Sequence, residues 1–469
     1  MTTHGSPRLV VAGASGDSGK TLVSLALLLA ASYRGLAVRA FKKGPDYIDA
    51  AWLAWASGHR ARNLDTFLMG FDRAVSSFAL HAVPNGLNLV EGNRGLYDGV
   101  DSRGTHSTAE LAKAIAAPVL LVLNATKVTR TAAAWVLGCQ RLDPEVRFAG
   151  VILNQVSTAR HERTLREAIL SACGIPVLGV VPRIARADLL PERHLGLVTP
   201  EEHPCPGKLR QELLRLTTAV DIERILAIAF AAPALVSQDS PIVDLPDGHG
   251  LTIGYLKDSA FTFYYSENLE ALEFSGATLV PIPALSQSAL PEALDALYIG
   301  GGFPETHAAK LSANRTFLES LRAAVQLGLP VYAECGGLML LSRAILWQER
   351  RYPMAGVLPF EVEVCPGPQG HGYTELVVDR PNPFFSKGLI LRGHEFHYSR
   401  VLLGGSVPQT ACSVVRGTGC CEHRDGIVAG NVWASYTHLN ALATPEWAAG
   451  MLNVARQFAR GRPVNQLSH

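Results

Sequence analysis

Short continuous apolar runs alternate with longer segments of helical spacing through the first half of the chain. RLVVAG (8–13), LAVRAFK (36–42), LNLVEG (87–92), PVLLVLNA (118–125), AGVILNQV (149–156) and IPVLGVVP (175–182) read as buried strands. TLVSLALLLAASYR and STAELAKAIA carry helical spacing between them. Continuous apolar strands separated by helices predict a parallel sheet covered on both faces. The pattern loosens where Pro, Asp, Ser and Gly cluster, at PALVSQDSPIVDLPDGHG (233–250), which predicts a linker. A second α/β set follows, with LTIGYL (251–256), ATLVPI (277–282), ALYIGG (296–301) and PVYAECGG (330–337). Beyond it, TELVVD (374–379) and NVWASYTHLN (431–440) read as strands. The expected division is therefore 1–235, a linker at 236–250, and 251–469.

Composition narrows the class. A length of 469 residues is too great for one ordinary core and suits two domains. With 42 Lys and Arg against 41 Asp and Glu, the chain lacks the cationic excess of a general nucleic-acid binder. The eight cysteines show no CxxC pairing, and adjacent Cys420 and Cys421 suit neither a usual disulfide nor a zinc knuckle. A reducing, cytoplasmic setting is expected. No basic flank precedes a long apolar run at the start, and the apolar stretches at 21–31 and 225–236 are too short to span a bilayer. No membrane or nucleic-acid partner is expected.

The first strand and helix are joined by Gly13-Ala14-Ser15-Gly16-Asp17-Ser18-Gly19-Lys20-Thr21. Small residues let backbone N–H groups turn inward around phosphate oxygens; Lys20 adds charge, and Thr21 offers a hydroxyl to Mg²⁺. The usual GxxxxGKT spacing would put glycine at 14, where this chain has Ala14, so the glycines are shifted. Ser15, Gly16, Asp17, Ser18, Gly19, Lys20 and Thr21 are the expected nucleotide contacts. Asn154, closing the strand VILN, is an expected adenine contact or a plain strand-ending polar residue.

Two acidic clusters follow, FKKGPDYID with Asp46 and Asp49, and EGNRGLYDG with Glu91 and Asp98. Pressing an ATP phosphate against a carboxylate demands cations. Mg²⁺ on Thr21, Asp46 and Glu91, aided by Lys20 and Lys42, would supply them. Asp46 and Asp49 equally fit a helix cap, and Asp98 a turn before Gly99.

In the second set, Cys335 stands between an apolar strand and an apolar helix, followed by Gly336-Gly337. That is a nucleophile elbow: a sharp turn exposes the thiol, and the helix N-terminus stabilises thiolate and oxyanion. His438 in ASYTHLN is the candidate base. Gly301 and Gly302 in YIGGGFPE, with Gly336, are candidates for the oxyanion-binding amides. RGHEFHYS holds His394 and His397; this HxxH is a weak metal pair and better fits a substrate or domain-interface role.

Taken together, SGDSGKT, FKKGPDYID, EGNRGLYDG, STAELAK, LPERHLGL (190–197), GGFPE, YAECGGLM, RGHEFHYS and ASYTHLN resemble the cobyrinic acid a,c-diamide synthase family over nearly the whole chain. The resemblance implies an α/β fold in two parts, a P-loop synthetase domain like dethiobiotin synthetase and a class I glutaminase domain. It implies amidation of acetate side chains of a tetrapyrrole, through an acyl phosphate made with ATP and Mg²⁺ and channelled ammonia from L-glutamine. It makes Cys335 the nucleophile and His438 its base, and places Asp46, Asp49, Glu91 and Asp98 in the carboxylate-activating site. Lys42, Tyr47 and Arg94 are candidate substrate contacts, Arg94 either pairing with an additional substrate carboxylate or being a loop substitution without effect. The resemblance leaves room for a homodimer. Two departures stand out. Class I glutaminases generally place Glu two residues after the histidine, where this chain has Asn440. Corrin enzymes resemble EGVMGLYDG, whereas Asn93-Arg94 here is similar to members linked to dissimilatory sulfite reductase, whose proposed substrate is siroheme. Cobyrinate and siroheme both stay open at this point, as does a nucleotide-dependent scaffold with an inert glutaminase part.

Overall fold

The computed structural model describes residues 2–183, 189–193, 196–237, 245–404 and 407–461. His194 and Leu195 of the 190–197 stretch and residues 238–244 of the expected linker lie outside them. The chain divides into two compact units, Met1–Ile242 and Val243–His469. Among the described residues no helix is long and apolar enough to cross a membrane.

The first unit is built on seven parallel strands: β1 (Arg8–Gly13), β2 (Ala37–Lys43), β3 (Arg62–Leu64), β4 (Gly86–Gly95), β5 (Val119–Asn124), β6 (Phe148–Val156) and β7 (Val177–Pro182). Their order across the sheet is β3-β2-β4-β1-β5-β6-β7. Leu9, Val10 and Val11 of β1 and Val119 to Leu123 of β5 are fully buried, as continuous apolar strands in a two-sided sheet must be. Helix α1 (Lys20–Tyr33) is buried on all its faces over Lys20–Ala31, which explains a helix apolar all round rather than striped. Helix α2 (Tyr47–Ser57) begins at Asp46, whose side chain accepts the Asp49 N–H, and ends at Gly58 in the left-handed region, φ 71°. β4 runs on past Glu91 to Gly95, so the second acidic cluster starts inside the sheet. The buried Arg8 guanidinium donates to the carbonyls of Ser6, Ile115, Ala116 and Pro233, tying the start of the unit to its end.

The largest sheet of the second unit has ten strands: β8 (Thr252–Leu256), β9 (Thr278–Ile282), β10 (Ala296–Ile299), β11 (Val331–Glu334), β12 (Gly370–Val378), β13 (Ile390–His397), β14 (Thr410–Arg416), β15 (Arg424–Ala429), β16 (Val432–Ser435) and β17 (His438–Leu439). The order is β9-β8-β10-β11-β16-β15-β14-β12-β13-β17, parallel from β9 to β16 and antiparallel beyond. The strand-rich segment 431–440 holds two strands, β16 and β17. The buried Asp425 carboxylate accepts the N–H groups of Tyr436 (3.2 Å) and Thr437 (3.1 Å), pulling the backbone out of the ladder. The chain then pairs with β13 at the far end of the same sheet, His394 opposite His438. That detour delivers the histidine.

Candidate functional site

In the first unit every candidate residue sits at the carboxyl ends of the strands, where ligands bind in open parallel sheets. The loop after β1 closes over Gly13. A Cβ there would lie 2.4 Å from Ser18 Oγ, 2.6 Å from the Ser15 carbonyl oxygen and 3.0 Å from Lys20 Nζ, so glycine is required at 13 and Ala14 is tolerated. Gly19 caps α1 at φ 97°. Asn154 lies against it, donating through Nδ2 to the Ser18 carbonyl at 2.9 Å; its amide braces the loop from behind. Burial and the neighbouring Lys42 ammonium lower the Lys20 pKa.

The acids do not play equal parts. Thr21 Oγ1 is 2.9 Å from Glu91 Oε1 and 3.4 Å from Asp49 Oδ1. Lys42 Nζ lies between the same two carboxylates, 2.6 Å from Asp49 and 2.8 Å from Glu91, and also donates to the Gly92 carbonyl. Asp46 caps α2 at 2.8 Å, so its helix-cap reading holds geometrically. Burial and Asp49 push its carboxyl up to about 7. Burial works against the Lys42 charge, yet Asp49 and Glu91 raise its pKa. Among the described residues no three His, Cys, Asp or Glu side chains form a metal cage by themselves. Asp98 is exposed and accepts the Gly95 N–H at 2.7 Å, closing a turn; that turn lies beside the phosphate loop, since Leu96 N–H donates to the Gly13 carbonyl. Arg94, exposed at φ 48°, and Tyr47, the first residue of α2, flank the cluster in sequence.

The raised Asp46 carboxyl makes a pH prediction. From roughly pH 4 to pH 7 the folded state holds a proton that the unfolded chain has released, so the contribution of Asp46 to stability falls as pH rises through that window. Asp46→Asn keeps an acceptor for the cap and removes the titration. The melting temperature of the variant should gain on the unsubstituted protein between pH 4 and 7 and hold a constant gap above. A gap independent of pH would rule out the raised carboxyl.

In the second unit Cys335 follows β11 with φ 47° and ψ −95°, a strained turn into the helix Gly336–Leu341. Its N–H donates to the Ser435 carbonyl at 2.7 Å, joining the elbow to β16. Burial pushes the thiol pKa up, and the Glu305 and Glu334 carboxylates push the same way. The group is therefore a thiol that needs a base. Gly301 and Gly302 stand between elbow and histidine: a Cβ on Gly301 would lie 2.7 Å from His438 Cε1, and a Cβ on Gly336 would lie 3.1 Å from Gly302 N. His438 is buried, with Nδ1 3.3 Å from Glu334 Oε2. Its ring stacks on His394 with centroids 5.1 Å apart.

His394 and His397 are themselves buried and part company. Three residues apart on a strand, they face opposite sides. His394 meets His438, whereas His397 stacks on Tyr436 at 3.7 Å. The two rings therefore do not form a metal pair. Glu334 lies in the YAECGGLM stretch, which does not by itself single it out. Its strand position, facing away from Cys335, was the sole local signal, and its partner is over a hundred residues away.

Residues 9–198 match the CobQ/CobB/MinD/ParA nucleotide binding domain, and residues 252–445 match the CobB/CobQ-like glutamine amidotransferase domain. The two on one chain define a carbon–nitrogen ligase with glutamine as nitrogen donor. The chain is 42% identical to the cobyrinate a,c-diamide synthase of Magnetococcus marinus, over 94% of this chain and 96% of that protein. Enzymes of the same name from Dehalococcoides mccartyi (40% identical, 96% and 99% covered) and Methanothermobacter thermautotrophicus (39%, 96% and 100%) align as fully. The chain belongs to the cobyrinate a,c-diamide synthase family.

Proposed function

We propose that this protein amidates the a and c acetate carboxylates of cobyrinate or hydrogenobyrinate, using ATP and Mg²⁺ for activation and ammonia released from glutamine. The observation that carries the substrate is near-full-length similarity to cobyrinate a,c-diamide synthases. The siroheme alternative rests on Asn93-Arg94 alone, and the inert scaffold has to ignore a strained, buried Cys335 with its histidine.

In the first unit the loop amides, Lys20 and Ser18 would hold the ATP phosphates. Glu91 Oε2 is buried with no hydrogen-bond partner and Glu91 Oε1 meets the Thr21 hydroxyl, oxygen donors of the kind that suit Mg²⁺ beside phosphates. Thr21 and Glu91, with Asp49 or Asp46, would hold that ion, which supplies charge neutralisation when bound. A substrate carboxylate oxygen attacks the γ-phosphorus and ADP leaves, giving an acyl phosphate; Lys42 and Lys20 offset the crowded anions. In the second unit His438 takes the thiol proton, Cys335 sulfur attacks the glutamine amide carbon, and amides near Gly302 and Gly336 face the oxyanion. Ammonia leaves, water releases glutamate, and the ammonia passes to the acyl phosphate, from which phosphate departs.

The test is mass spectrometry of cobyrinate, hydrogenobyrinate and siroheme after incubation with the protein, ATP, Mg²⁺ and glutamine. Two carboxyl-to-amide replacements on a corrinoid are expected. Amidation of siroheme with none on a corrinoid would overturn the substrate, and no amide on any of them would overturn the function.

A further inference from the structure

Asn440 holds the position at which class I glutaminases carry the glutamate that orients the catalytic histidine, and its side chain is engaged elsewhere. Its Oδ1 accepts the N–H groups of Leu442 (2.9 Å) and Ala443 (3.3 Å), capping the turn after β17. We infer that Glu334, the residue immediately before the nucleophile, is the positioning residue for His438. The inference rests on the glutaminase reading above.

Glu334 has no exposed surface, and a buried carboxylate is strongly disfavoured unless donors surround it. Glu334 has three in place. Tyr298 OH donates to Oε2 at 2.9 Å, the Leu439 N–H donates to Oε1 at 3.0 Å, and His438 Nδ1 lies 3.3 Å from Oε2. Because a carboxylate only accepts, this contact puts the imidazole proton on Nδ1. Nε2 is then the basic nitrogen, on the side of Gly301, where a Cβ would lie 3.4 Å from it. The backbone bond to Leu439 fixes the carboxylate to the residue next to the histidine, so acid and base move together.

One face of the ring is covered by an uncharged neighbour. His394 stacks on His438 at an interplanar angle of 22°, and its Nδ1 is hydrogen-bonded to Tyr265 OH at 3.0 Å. Burial and His438 lower its pKa far below the usual histidine value, so it stays neutral while His438 takes up a proton. Strand alternation makes this economical: Glu334 and Tyr332 project to one face of β11, Cys335 lies past the other, and the elbow separates acid from thiol by a single residue.

Glu334→Gln tests the role, since the amide keeps the shape but turns an N–H₂ or a neutral oxygen towards Nδ1. In the full-length protein, kcat for glutamine hydrolysis should fall by about 10²-fold or more with KM changed less than about threefold, as when a histidine loses its orienting acid. Amidation driven by ammonium chloride should persist, and Glu334→Asp should recover part of kcat. Asn440→Ala should lower the melting temperature and leave kcat within about threefold, since only a turn cap is removed. A folded Glu334→Gln protein hydrolysing glutamine at the unsubstituted rate would overturn the proposal. One measurement needs no folded variant at 334: ¹⁵N-histidine spectra of the unsubstituted protein, with His438 assigned by His438→Asn, should show the Nδ1–H tautomer. An Nε2–H tautomer would overturn the proposal equally. Absence of glutamine hydrolysis in the unsubstituted protein, with ammonium-driven amidation intact, would instead count against the glutaminase reading.

Discussion

Cys335→Ala is expected to lower glutamine-dependent amidation by about 10⁴-fold or more, as removal of a covalent nucleophile does, while ammonium-dependent amidation stays near the unsubstituted rate. The two nitrogen sources separate the units: ammonium bypasses the thiol and leaves the phosphate loop and its acids untouched. The thiol sits at φ 47° and ψ −95°, a conformation that costs any L-residue roughly 1–3 kcal/mol and glycine much less. Cys335→Gly should therefore be as inactive with glutamine as Cys335→Ala, yet melt higher. That ordering separates a strained elbow held for chemistry from a small buried thiol held for packing. Equal melting temperatures would remove the strain argument, and surviving glutamine-dependent activity in either variant would remove the nucleophile.

Much of this was legible in the sequence because it is local. A phosphate loop announces itself through consecutive residues between a strand and a helix, and so does the elbow around Cys335. Shifted glycines were legible as an anomaly; the close approach of Ser18, Ser15 and Lys20 over Gly13 gives the reason. What the pattern hid is long-range. The Glu334–His438 contact joins residues 104 apart, and the Lys42–Glu91 contact joins residues 49 apart. No periodicity carries such pairs. The break between β16 and β17 was hidden for the same reason, since it depends on Asp425 capturing two backbone N–H groups. Among the acids, sequence could not divide the labour between Asp46 and Asp49. Three residues apart at a helix start, one caps and the other faces inward to Lys42 and Thr21.

Lys42→Met carries the largest expected effect on stability. The ammonium is buried, 2.6 Å from Asp49 and 2.8 Å from Glu91. Methionine replaces the stem and removes the charge, leaving two carboxylates facing one another beside Asp46. Stripping one partner from a buried ionic cluster costs about 3–5 kcal/mol. In a unit of this size that lowers the melting temperature by on the order of 10 °C. Because the two units need not melt together, calorimetry should show the lower transition moving while glutamine hydrolysis persists below it. Two further signs follow from the charges. Burial already raises the Glu91 pKa, so acidification protonates it readily, and the gap to the unsubstituted protein should narrow as pH falls. If the proposed ion site at Thr21 and Glu91 holds, magnesium should restore more stability to the variant than it adds to the unsubstituted protein, because the cation would take over the missing charge. A variant that melts with the unsubstituted protein at neutral pH would mean the carboxylates do not depend on Lys42. One that loses stability but ignores magnesium would place the ion away from Thr21 and Glu91, and with it the activating chemistry.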